Sequence, residues 1–170
     1  MKIMGIAGFS GSGKTTLIEK MIPVFVRVGV RVALIKHAHH EFDIDQPGKD
    51  SYRHRHAGCG EVLISSSKRW ALMHELRGAA EPSLQDQLKH FAPCDLVIVE
   101  GYKNEPIPKI EVHRRAGHTP LLFPQDSQVV AVATDELLDT QLPQLDVDDA
   151  EDVARFLLQY LGLNRARLVR

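Results

Sequence analysis

Apolar residues in this chain occur in short runs set apart by glycine, proline and polar stretches, and the spacing within the runs alternates between strand-like and helical. Lys2 to Ala7 is a compact apolar stretch bounded by glycine, the pattern of a strand buried on both faces. From Thr15 to Val28 the apolar positions Leu17, Ile18, Met21, Ile22, Phe25 and Val28 recur at helical spacing, with Pro23 placed to bend the helix and Gly29 to stop it. Arg31 to Ile35 follows as a second buried strand. A strand, helix, strand unit of this kind implies a parallel sheet.

Further along, Asp50 to Gly58 reads as a short helix capped by Asp50 or Ser51, leading into a strand at Glu61 to Ser65. Trp70 to Leu76 reads as another strand. Pro82 to Phe91 forms a helix with Ser83 as cap and Leu84, Leu88 and Phe91 on one face. Asp95 to Glu100, DLVIVE, is the most strand-like run of all. Ile107 to His113 and Val129 to Ala133 are further strands, and Asp148 to Leu161 is an amphipathic closing helix. The pattern predicts an α/β chain of three layers on a mostly parallel central sheet, one domain over residues 1–162, and a basic tail over 163–170.

Composition narrows this picture. With 170 residues, 44% of them hydrophobic, the chain can bury one good core and is short for two linked domains. A formal net charge of -1 offers no general attraction to polyanions, so nucleic acid is not an expected partner. Two distant cysteines, Cys59 and Cys94, suit a reducing compartment and read as small core residues. No apolar run reaches the roughly 18 residues of a membrane span, and no leader pattern precedes the first strand; the expected location is the cytoplasm.

The chemistry begins at Gly8 to Thr16, GFSGSGKTT, which fits G-x-x-x-x-G-K-[ST] between a strand and a helix. In that setting successive backbone N–H groups and a helix N-terminus surround phosphate. Ser10, Gly11, Ser12, Gly13, Lys14, Thr15 and Thr16 are the expected nucleotide-binding residues. Lys14 reaches the β- and γ-phosphates and the Thr15 hydroxyl ligates Mg²⁺. A second acid belongs at the end of a neighbouring strand, and Glu100, after four apolar residues, supplies it; a carboxylate there is costly to bury unless neutralised. Its alternative is a plain ion pair with Lys103 or Lys109.

Lys36 to Gly58, KHAHHEFDIDQPGKDSYRHRHAG, holds five of the nine histidines in a long polar stretch. Histidine clusters suggest metal, although no sulfur or carboxylate set at zinc spacing completes one. The competing reading is a switch-like segment: Asp43, Asp45 and Asp50 as candidates for Mg²⁺ or an attacking water, with Asp45 as the catalytic choice and Asp50 as the metal choice, and Lys36, His37 and Lys49 for phosphate oxygens. A solvated loop without a role is the third.

Taken together, the phosphate loop, the histidine-rich segment, DLVIVEGYK and the later VVAVATD closely resemble the molybdopterin-guanine dinucleotide biosynthesis protein B family, over residues 1 to about 162. The resemblance implies a P-loop GTPase-type fold, GTP and Mg²⁺ as cofactors, slow intrinsic hydrolysis and a homodimer formed partly by sheet pairing. It also implies an adaptor role toward the molybdenum cofactor guanylyltransferase, with molybdopterin or its guanine dinucleotide as a further ligand. One departure from a wider relative matters: where the MinD-type loop has a second lysine, this chain has Phe9, so no lysine reaching across a dimer is expected. The usual Asn-Lys-x-Asp guanine reader is absent; Asp135, after VVAVAT, is its positional substitute or else caps the following turn.

Three function classes remain open on these residues. They are a GTP-dependent adaptor with weak GTPase activity, a small-molecule kinase or ATP-dependent ligase, and a nucleotide-dependent metal chaperone. The sequence offers no evident arginine finger and no positioned glutamine, Arg53 and Arg55 apart, so slow hydrolysis is expected.

Overall fold

The computed structural model describes residues 1–38 and 42–163. The expected basic tail, Asn164 to Arg170, and His39 and His40 lie outside the described residues. Two compact units emerge: Met1–His37 together with the chain from Ala92 onward, and Ala38–Phe91. The domain expected over 1–162 takes in both.

The larger unit is a parallel sheet. Its strands are β1 (Lys2–Ala7), β2 (Val32–Lys36), β5 (Leu96–Glu100), β6 (Lys109–His113), β7 (Val129–Thr134) and β8 (Gln144–Asp146), in the order β2-β5-β1-β6-β7-β8. All five neighbouring pairs run parallel. Helices α1 (Lys14–Arg27) and α4 (Ala150–Tyr160) pack against each other and against the sheet. This is the expected α/β P-loop architecture.

The pleat explains how the strands divide their side chains. Met4 and Ile6 of β1, Leu96 and Ile98 of β5, Ile110 and Val112 of β6, and Ala131 and Ala133 of β7 all join the core with α1 and α4. Because side chains alternate and registered residues of parallel strands share a face, Glu100, paired with Ile6 and Lys36, continues the row that faces α1. Helix α1 runs unbroken through Pro23, which is exposed, and buries Leu17, Ile18, Met21, Val24 and Phe25. Helix α4 starts at Ala150, two residues later than the pattern suggested, because Asp149 takes the cap and accepts from the Asp152 N–H.

Strand β6 departs from its sequence pattern. KIEVH alternates polar and apolar like a strand with one wet face, yet all five residues are buried. The opposite row is polar and paired. Lys109, fully buried, donates to Asp126 at 2.7 Å and to the Lys103 and Glu105 carbonyls at 2.7 and 2.9 Å. Glu111 accepts from the Leu122 and Phe123 N–H groups, and His113 meets Glu136. Burial raises the Asp126 carboxyl, whereas the Lys109 ammonium and the Gln128 N–H lower it, with a net shift downward.

The smaller unit holds α2 (Asp50–His56), an antiparallel hairpin of β3 (Glu61–Ser65) and β4 (Trp70–His74), and α3 (Leu84–Leu88). Ser83 caps α3 as expected, its side chain accepting from the Asp86 N–H. The expected cap of α2 is corrected: Lys49 occupies that position in extended backbone with no side-chain hydrogen bond, and Asp50 is already inside the helix. Strand β4 stops at His74, short of Leu76. Neither cysteine is a core residue; Cys59 is exposed and Cys94 half-buried.

Replacing Asp126 with Ala leaves the Lys109 ammonium buried on two carbonyls alone. Chemical denaturation is expected to show a loss of about 3 kcal/mol, with the melting midpoint lowered by roughly 6–12 °C.

Candidate functional site

The loop between β1 and α1 is shaped by contacts that leave no room for side chains. At Gly8, φ is 142°, and an added Cβ would lie 2.4 Å from the Val112 carbonyl oxygen and 2.8 Å from Ser12 Oγ. At Gly13, the cap residue of α1, φ is 93°. The helix proper begins where the Leu17 N–H donates to the Gly13 carbonyl at 2.9 Å. The N–H groups of Lys14, Thr15 and Thr16 are therefore the surplus donors of a first turn that no side chain caps. Ser12 Oγ is the one buried side-chain polar atom without a partner among the described residues. A cradle of free amides with an unpaired buried hydroxyl fits an anion, and so fits the phosphates expected from the sequence.

Lys14 curls back over the loop, donating to the Phe9 carbonyl at 2.7 Å and the Gly8 carbonyl at 3.1 Å. The Thr15 hydroxyl donates to Glu100 Oε1 at 2.6 Å. Lys36 Nζ lies 3.6 Å from the same oxygen and 3.4 Å from Thr15 Oγ1. Glu100, 5% exposed, is thus neutralised by Lys36, and the expected alternatives are corrected. Lys109 belongs to the other face of the sheet, where it serves Asp126, and Lys103 stands 3.8 Å over the Phe9 ring. A hydroxyl and a carboxylate in contact at the mouth of a phosphate cradle suit a hard divalent cation of the magnesium type.

His37 follows Lys36, donates its N–H to the Glu100 carbonyl at 2.9 Å, and rests its ring on Tyr102 at 4.7 Å between centroids. Lys14, Thr15, Lys36, His37 and Glu100 are thereby brought together. Ser10 and Gly11 lie in the same loop and Thr16 in the first turn of α1.

Asp45, Lys49 and Asp50 belong to the smaller unit. There Asp45 accepts from Ser51 Oγ at 2.7 Å and from Arg55 Nε at 3.2 Å. Arg55 also binds Asp43 and Glu75, three carboxylates on one guanidinium; they hold the Arg55 pKa far above its ordinary value, and the guanidinium in turn holds the Asp43 carboxyl below the usual carboxylate range. Among the described residues no group of three or more His, Cys, Asp and Glu side chains comes together to hold a metal ion.

At the carboxyl ends of β7 and β8 opens a cavity of about 470 Å³ lined by Asp135, Glu136, Leu137, Gln144, Asp146 and Asp148, among others. Asp135 accepts from the Arg115 N–H at 2.8 Å and from Arg114 at 3.4 Å, and Arg114 also binds Asp148. The Arg115 N–H and the Arg114 charge hold the Asp135 carboxyl below its usual range. Arg114 was not visible as a site residue in the sequence. Its signal is positional: it directly follows the end of β6, and an added Cβ at Gly13 would sit 3.5 Å from its Nε.

Comparison with known proteins places these observations among relatives. The family model described as Molybdopterin guanine dinucleotide synthesis protein B matches residues 3–135. The chain is 42% identical over 162 residues to the molybdopterin-guanine dinucleotide biosynthesis adapter protein of Escherichia coli, covering 94% of this chain and 93% of that one. It is 42% identical over 160 residues to the Haemophilus influenzae protein of the same name, covering 94% and 89%. A crystal structure of molybdopterin-guanine biosynthesis protein B superimposes with a TM-score of 0.74 at 28% identity over 93% of this chain and 99% of that one. A homologue from Bacillus stearothermophilus gives 0.72 at 26%, over 96% and 100%.

The Lys14 ammonium is held below its usual pKa by burial, with the charges of Lys103 and Lys36 adding to the effect and Glu100 opposing it. An anion favours the charged form and raises that pKa. Pyrophosphate affinity is therefore full below the pKa of the free protein and falls as pH rises through it. Calorimetry in buffers of different ionisation heat should detect proton uptake on binding at alkaline pH.

Proposed function

Because this chain belongs to the molybdopterin guanine dinucleotide synthesis protein B family, we propose that it is a GTP- and Mg²⁺-binding adapter of molybdopterin-guanine dinucleotide biosynthesis with weak GTPase activity. Its proposed partner is the molybdenum cofactor guanylyltransferase, with molybdopterin or its guanine dinucleotide as further ligand. The observation that carries the nucleotide part is the cradle itself: surplus amides at the start of α1, the unpartnered Ser12 hydroxyl, and Lys14, Thr15 and Glu100 converging beside them. The adapter part rests on the relatives' names.

In this reading Thr15 and Glu100 hold Mg²⁺, which offsets part of the triphosphate charge. Lys14 exchanges the Phe9 and Gly8 carbonyls for phosphate oxygens, and Lys36 balances Glu100. The amides of Lys14, Thr15 and Thr16 bind without rearrangement, so they orient phosphate and do little else. Asp135, ionised and aimed by the Arg115 N–H at the edge of the β7–β8 cavity, offers an acceptor for the guanine N1–H and amino group. Slow turnover is supported by Arg55 and Asp45, whose charged groups are spent on each other and on Asp43, Glu75 and Ser51. The hairpin β3–β4, with Leu63, Trp70 and Leu72 exposed on one face, supports a homodimer formed through that element.

Lys14→Ala is expected to abolish GTP binding in titration calorimetry while circular dichroism stays unchanged; retained affinity refutes the phosphate role. Glu100→Gln should weaken the Mg²⁺ dependence of binding more than Mg²⁺-free nucleotide affinity. Equal losses would mean structural damage at the β5 end instead.

A further inference from the structure

Lys103 is absent from the set that the motif predicts, yet its ammonium stands 3.8 Å over the ring of Phe9, inside the phosphate loop. The carbonyl of that same Phe9 takes the Lys14 ammonium at 2.7 Å. Two cations from distant parts of the chain therefore meet at one loop residue, one on its ring and one on its main chain. Lys36, from the end of β2, brings a third within 3.4 Å of Thr15 Oγ1. Lys36 lies 3.6 Å from Glu100, and the charges of Glu100, Lys103 and Lys36 all act on Lys14, so three ammonium groups share the neighbourhood of one buried acid and leave positive charge for an anion to offset.

The backbone that carries Lys103 is held by hydrogen bonds, whereas its ammonium rests against a ring. Its carbonyl is held at 2.7 Å by the fully buried Lys109, which Asp126 anchors, and its N–H donates to the Gly101 carbonyl at 2.8 Å. Among the described residues the arm itself makes only the ring contact. A cation–π contact at a partly exposed site is weaker than a charge-assisted hydrogen bond to phosphate, so a phosphate within reach draws the ammonium off the ring. Which phosphate follows from the position of Lys14. The loop lysine serves the β- and γ-phosphates, and Lys103 waits on the ring of the same residue whose carbonyl now holds Lys14.

We propose that Lys103 is a phosphate-binding residue of this site that engages the terminal phosphate of a nucleoside triphosphate and thereby separates triphosphate from diphosphate. The assignment rests on the nucleotide reading above and deepens it. It makes the turn after Glu100 a sensor of the terminal phosphate, supplied by the same chain, with Phe9 as its seat when that phosphate is absent.

Titration calorimetry of the full chain with Mg²⁺, using GDP and a non-hydrolysable GTP analogue, tests this on the wild type and on Lys103→Met, Lys103→Arg and Phe9→Leu. Lys103→Met should lose about ten- to a hundredfold in affinity for the triphosphate, with GDP changed by less than about twofold. Lys103→Arg should recover most of the loss, and Phe9→Leu, which removes only the seat, should keep the triphosphate affinity within about threefold. GDP serves as the internal control for folding, since a damaged loop weakens both ligands together. Equal losses for the two nucleotides, or an unchanged triphosphate affinity, overturn the assignment while leaving the nucleotide reading intact. A wild type that binds neither nucleotide overturns that reading and the assignment with it.

Discussion

The structure turns on a carboxylate where an apolar strand ends. Glu100 closes LVIVE, a run buried along its whole length, and the pleat obliges its side chain to continue the row of Leu96 and Ile98 toward α1. A charge at that depth is tolerated only with partners. Lys36 lies beside it because β2 pairs with β5 in a register that sets Lys36 against Glu100, and Thr15 reaches it because α1 begins on that face. The acid, the hydroxyl and one of the cations thus meet through sheet register and helix placement, with no loop geometry invoked.

That dependence explains which parts of the site could be read from sequence. GFSGSGKTT announces its cradle through local requirements: a glycine, Gly8, where a Cβ would strike Val112 and Ser12, glycines at positive φ, and a lysine and a threonine at fixed spacing from them. Glu100 was legible because a carboxylate after four apolar residues is conspicuous. Its partner was not. Choosing among Lys36, Lys103 and Lys109 requires the strand order, and parallel pairings join residues too far apart for spacing to connect. The same limit hid Arg114, which meets Asp135 and Asp148 from other strand ends, and the contact of Lys103 with Phe9, two residues far apart in sequence.

Local patterns misled where burial and polarity part company. KIEVH has the alternation of a half-wet strand, in which Lys109, Glu111 and His113 would face water. Each is buried because the chain after β6 returns to meet it: Asp126 for the lysine, the Leu122 and Phe123 amides for the glutamate, Glu136 for the histidine. The short strand β8 escaped for the opposite reason, since three residues carry no periodicity. Cys59 and Cys94 were assigned to the core on residue type alone, and a type average does not fix one position.

The two faces of β6 and its neighbours divide the labour. On the α1 side, charge is left in excess: Lys36 stands beside Glu100, while Lys14 rests on carbonyls and Lys103 on a ring. On the opposite side the polar groups are paired, Lys109 with Asp126, Glu111 with two amides and His113 with Glu136, and among the described residues no buried side-chain polar atom there lacks a partner. Balanced pairs hold the backbone still, whereas surplus cations lower the stability of the free protein and recover that cost when an anion arrives. Lys109 joins the two regimes, since it clamps the Lys103 and Glu105 carbonyls from the balanced side and so fixes the turn from which a surplus cation projects on the other. The rigidity of one face is what allows the other to remain electrostatically incomplete.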